Sequence, residues 1–206
     1  LWEKMQKGNL VALLGVDSEI GQVILRNRFD LAQNLLKDWL VHVDRGDLAI
    51  EVVNHTNSHK VVSNKYSLAT AAKLAYFAKE NRLRAVLTNA TRYLNPEDAI
   101  TSDLLEAIET KKQLRFEQVK GFRGSAYLKS SQDMSQIAFN VAKHCNIPEM
   151  ASLLLKFTND IAQECSLDPI KDLGIGSITV PEIDVVLGKD SQDAKKVLAN
   201  KCFTGL

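Results

Sequence analysis

Cysteine is scarce in this 206-residue chain: Cys145, Cys165 and Cys202 are an odd number at wide spacing. Such a set suits reduced thiols in a cytosolic protein better than a disulfide framework. Charge of one sign is lacking too. The 26 Lys and Arg stand against 25 Asp and Glu, a formal net charge of +1, so no global basic field grips nucleic acid and any such contact must be local. No apolar run approaches the ~20 residues of a membrane span. Leu1-Trp2-Glu3-Lys4-Met5 lacks the basic, then apolar, layout of a signal peptide. The expectation is a soluble, cytoplasmic protein with no membrane partner. Internal repeats and low-complexity tracts are absent as well. The chain opens without Met and is expected to be a piece of something longer. What it does have is apolar content, 45% of residues, enough for a core and against the disordered and fibrous classes.

Residues 10–16, Leu-Val-Ala-Leu-Leu-Gly-Val, form a short continuous apolar run that predicts a buried strand, closed by a turn at Asp17-Ser18. Leu31, Leu35, Leu36, Trp39 and Leu40 recur at helical spacing before Asp44-Arg45-Gly46-Asp47 breaks the pattern. Residues 48–54 predict a second strand, followed by a surface loop over 54–64. Ser67 can cap a helix carrying Ala71, Leu74, Ala75 and Ala78, and 83–87 predict a third strand. Strands alternating with helices imply a largely parallel sheet or barrel, with functional residues just beyond the strand carboxyl ends. Those ends are Val16-Asp17, Asn54-His55 and residues 89–92. Asn95, Pro96, Glu97 and Asp98 open the next helix, to about Glu109; Ser130 and Asp133 form a capping box for another, through about His144; Ile147-Pro148-Glu149 begins a third. Pro, Gly and Asp increase from Asp168, which suggests an extended connector and a boundary near 165.

Few constellations carry chemistry. His55 and His59 stand four apart, with Glu51 upstream, but in a loop such spacing shares no face, and exposed loop histidines are the expectation. His42 and His144 are isolated. His144 and Cys145 are adjacent, so on a helix they point about 100° apart, and a half-buried Cys is the better reading than a thiol with its base. Gly174-Ile175-Gly176 lacks a third Gly and reads as a bend. Residues 95–110 carry five acids and no Lys or Arg, whereas 111–129 carry Lys111, Lys112, Arg115, Lys120, Arg123 and Lys129 against Glu117. With Phe116, Phe122 and Tyr127 interleaved, this basic loop has the ingredients of a phosphate-contacting, base-stacking surface. A solvated loop pairing with the acidic helix is the commoner outcome.

The segment 86–99, Val-Leu-Thr-Asn-Ala-Thr-Arg-Tyr-Leu-Asn-Pro-Glu-Asp-Ala, followed by Ala126-Tyr127-Leu128-Lys129-Ser130 and Asp133-Met134, resembles the bacterial C-family DNA polymerases, the DNA polymerase III alpha subunits and their error-prone relatives. In that family a strand ends in Thr-Asn-x-x-(His or Arg)-Tyr, then Pro-Glu-Asp-Ala opens a helix, then comes Tyr-Leu-Lys-Ser. Residues 14–19, 51–55 and Val180-Pro181-Glu182 extend the resemblance over nearly the whole chain. The Leu-Thr-Asn-Ala-x-Arg-Tyr wording leans toward the error-prone subgroup; the main replicative subunit and a non-catalytic DNA- or partner-binding module are the alternatives.

The resemblance implies an α/β fold. Residues 1–145 would be the later part of a polymerase and histidinol phosphatase (PHP) domain, a partial distorted β/α barrel. Residues 146–206 would be a helical segment and extended connector into the polymerase palm. It implies an intact parent that adds dNTPs to primer–template DNA with Mg²⁺, alongside replisome or repair proteins. No Asp-x-Asp on an apolar strand appears here, so no catalytic residue is assigned and the chain alone is expected to be inactive. PHP metal ligands of the family would fall at Val16, Ala90 and Arg92. Val and Ala have no lone pair to give and an Arg guanidinium repels a metal, so no cofactor and no metal ligand are assigned, although Asp17 is adjacent. Arg92 is expected to fill the vacated cation position with its own charge.

Overall fold

A computed structural model describes residues 10–55, 64–110, 124–176 and 194–205. The chain divides into two compact units, Leu1–Glu164 and Cys165–Leu206, close to the composition change near 165.

In the first unit the apolar run becomes strand β1 (Ala12–Leu14). Helix α1 (Glu19–Leu25) follows, where the sequence reading had only a turn. Its cap is that same turn: Ser18 Oγ accepts from the Gly21 N–H at 3.0 Å and donates to Gly15 O at 2.6 Å. Gly21 is required here, because a Cβ would sit 2.1 Å from Gly15 O and 2.6 Å from Val16 Cα. Helix α2 (Phe29–His42) buries Ala32 and Leu36 and leads into β2 (Leu48–Val53). Helix α3 (Leu68–Glu80) is capped by Ser67 Oγ on the Thr70 N–H, and β3 (Arg84–Thr88) follows.

A 3₁₀ turn at Pro96–Asp98, with a capping box between Asn95 and Asp98, precedes α4 (Ala99–Thr110). Helix α5 (Ser131–Cys145) opens on the expected Ser130–Asp133 capping box and closes on Asn146, left-handed at φ 56°. Helix α6 (Met150–Glu164) completes the unit.

The three strands are parallel in the order β1-β2-β3, with Leu14 beside Ile50 and Val53 beside Thr88. Leu48, Ile50, Val52 and Leu87 face the main core with Ile20 and Ile24 of α1, Leu74 and Phe77 of α3 and Val141 of α5. On the other face Ala49 and Val86 meet Ile161, with Val11 and Phe157 against them. Helix α6 serves both faces, since its Met150 and Leu154 join the main core.

Among the described residues the sheet is open, not a barrel. The free edge of β3 meets a helix instead of a fourth strand: the Leu87 N–H donates to Thr158 Oγ1 at 2.9 Å, and Arg84 Nη1 bonds both Glu164 carboxylate oxygens at 2.8 Å. A side-chain hydroxyl thus satisfies a backbone donor that a neighbouring strand would otherwise take.

In the second unit Asp168 Oδ1 accepts from the Ile170 and Lys171 N–H groups, and Gly174 and Gly176 lie at φ 63° and 95°, the bend expected there. Helix α7 (Ala194–Thr204) is its one described helix.

Candidate functional site

Parallel pairing brings the carboxyl ends of all three strands to one side of the sheet, where α/β proteins place their sites. The register that sets Val53 beside Thr88 puts Asn54 next to Asn89. Both side chains are buried, and Asn54 Nδ2 has no hydrogen-bond partner among the described residues.

Asn89 is the hub of the cluster. Its Nδ2 donates to Ser125 O (3.1 Å) and Tyr127 O (2.7 Å), and its Oδ1 accepts from Lys129 Nζ at 2.8 Å. Its backbone oxygen lies 2.8 Å from His55 Nε2. A carbonyl can only accept, so Nε2 carries the proton. Lys129 Nζ also donates to Ser125 O and lies 4.4 Å from the centroid of the Tyr127 ring. The segment is held further by Ala126 O, which accepts from the Arg92 N–H, and by Tyr93 O, which accepts from the Leu128 N–H.

The electrostatics are those of a crowded positive site. Burial pushes the His55 pKa down, its bond to Asn89 O opposes this, and the charges of Lys129 and Arg92 lower it further. Burial likewise lowers Lys129 to about 8, against the pull of Asp133.

His55 is therefore not an exposed loop histidine. It is half-buried, its backbone N–H donates to Tyr66 O, and its ring stacks obliquely on Tyr66 at 4.8 Å. Asn54 and His55 directly follow β2, where the loop was expected to begin. His59 lies outside the described residues, as does 111–123 of the basic loop. Glu51 is engaged elsewhere, its Oε1 accepting from Thr88 Oγ1 at 2.7 Å. His42 and His144 are exposed; Cys145 is half-buried, its thiol on Ala142 O, and burial raises its pKa. His144 and Cys145 both border a shallow groove of about 210 Å³ with Phe29 and Tyr76.

Arg92 stands close enough to the strand ends for its charge to act on His55. It is exposed and lines a cavity of about 240 Å³ with Tyr93, Asp98, Thr101, Ser102 and Leu105. The half-buried cation at the strand ends is Lys129, which the sequence reading had grouped with the basic loop. The available signal was its place in Tyr127-Leu128-Lys129-Ser130, downstream of Thr88-Asn89.

The positions weighed as metal ligands are engaged otherwise. Val16 is core, Ala90 offers no donor, Asp17 pairs with Lys65 at 2.5 Å, and His55 faces two cations. No group of three or more His, Cys, Asp or Glu converges among the described residues. What the arrangement does chemically is tie the ends of β2 and β3 to residues 125–129.

No family model matches the chain. It is 25% identical over 185 residues to the DNA polymerase III subunit alpha of Xylella fastidiosa (strain 9a5c), covering 89% of this chain and 14% of that protein. To the subunit of the same name from Borreliella burgdorferi it is 26% identical over 164 residues, 79% of this chain and 13% of the relative. The chain is thus similar over most of its length to a small part of DNA polymerase III alpha subunits.

Proposed function

We propose that this chain is an interior part of a DNA polymerase III alpha-type subunit, with residues 1–145 the later part of a PHP domain and 146–206 the passage into the palm. The observation that carries the reading is the collinear similarity to alpha subunits over 89% of the chain. The parent would extend primers on template DNA with dNTPs and Mg²⁺, in replication or damage-associated synthesis. In this reading the PHP portion is structural and metal-free, supported by Val16, Ala90 and Arg92 where the family carries ligands. The open three-stranded sheet would be one part of its barrel. The wording of residues 87–93 favours the error-prone subgroup. The relatives named above, both called DNA polymerase III subunit alpha, favour the replicative one.

The test begins with the reading frame on both sides of these residues. Continuation downstream into an apolar strand bearing paired aspartates, together with Mg²⁺-dependent primer extension by the full-length product, is the expected result. A start codon just before Leu1 and a stop after Leu206 would sink the polymerase reading. Stoichiometric Zn²⁺ or Mn²⁺ in the full-length protein, lost on Asp17→Asn, would overturn the metal-free one.

A further inference from the structure

Lys129 is bound in a way that a basic residue on a solvated loop is not. Surface lysines extend their ammonium into water. This one donates to Asn89 Oδ1 at 2.8 Å and to Ser125 O, with the Tyr127 ring beneath it at 4.4 Å. It forms no ion pair among the described residues. The charged and titratable groups that interact with it are Asp133 on the first turn of α5 and His55 at the end of β2, and Arg92 in turn acts on His55. Two neutral oxygens and an aromatic face therefore hold a half-buried ammonium. The same two oxygens belong to Asn89 and the 125–129 segment, which Asn89 Nδ2 binds independently.

We propose that Lys129 is a positioning residue, an internal cation that latches residues 124–130 across the strand ends and so holds them against Asn89. Two of the three ammonium donors are thereby spent inside the protein.

The test is an NMR titration of the lysine side-chain amines in the full chain. One resonance, removed by Lys129→Met, is expected to titrate near 8, with the Asn89 carboxamide moving in step. Lys129→Met is expected to speed amide exchange at Leu128, whose N–H bonds Tyr93 O, several-fold, and Lys129→Arg to restore part of the protection. Titration of Lys129 with the ordinary lysines while the Asn89 carboxamide stays still would overturn the proposal. Unchanged exchange at Leu128 in a folded Lys129→Met would do the same. If Lys129→Met does not fold, Lys129→Arg, which also removes the lysine amine, supplies the assignment and the wild-type titration decides.

Discussion

His55 is kept neutral by burial and by two nearby cations, and this sets a pH dependence. Below the ordinary value of 6.5 the unfolded chain takes up a proton that folded His55 resists, so the stability tied to this group is complete above 6.5 and is lost as pH falls. Lys129 acts in the same sense at higher pH: its unfolded form stays protonated up to 10.5, whereas the folded form releases its proton near 8, so stability rises between those values. Urea midpoints measured across pH should show both rises. His55→Gln should flatten the acid one and Lys129→Met the alkaline one. A third residue bears strain. Ala90 sits at φ 44°, where a Cβ crowds the following carbonyl, and Ala90→Gly should raise stability by about 0.5–1 kcal/mol in the same urea assay.

At the scale of elements, the contact between α6 and β3 has the clearest energetics. Thr158→Val keeps the shape but strips the acceptor from the Leu87 N–H. The expected cost is about 1–3 kcal/mol by urea unfolding, with Thr158→Ser milder. Leu154→Ala empties a fully buried position and should cost about 2–5 kcal/mol.

Helices with a capping residue ahead of an apolar rhythm were legible: Ser67 before Ala71, Leu74, Ala75 and Ala78, all buried, and Ser130 before Asp133. The three strands were legible as apolar runs. Helix α1 was not, because its seven residues give barely two turns of periodicity and Gly21 reads as a breaker until its contact with Gly15 is seen. The site was half legible. Strand ends 54–55 and 89 follow from strand order alone. That Lys129 folds back onto Asn89, 40 positions earlier, depends on a tertiary contact no local pattern encodes.

Taken whole, the described chain is uneven. The first unit holds the core, while in the second Leu167, Ile170, Leu173, Ile175 and Phe203 are all exposed. Amide hydrogen exchange should therefore be slowest in β2, β3 and α3 and nearly unprotected over residues 165–176. Protection there equal to that of β2 would contradict the division. The absence of a helix long and apolar enough to cross a membrane holds for the described residues.

The hydroxyl of Thr158 on the edge of β3 has a practical meaning for anyone who cuts this gene. A product ending at residue 145, where the family resemblance places a domain limit, loses α6 and lays bare the β3 edge, with the backbone N–H of Leu87 unclaimed. Two such molecules can pair strand to strand, and the preparation turns into soluble oligomer or precipitate. Moving the stop beyond Glu164 should return it to a monomer by light scattering.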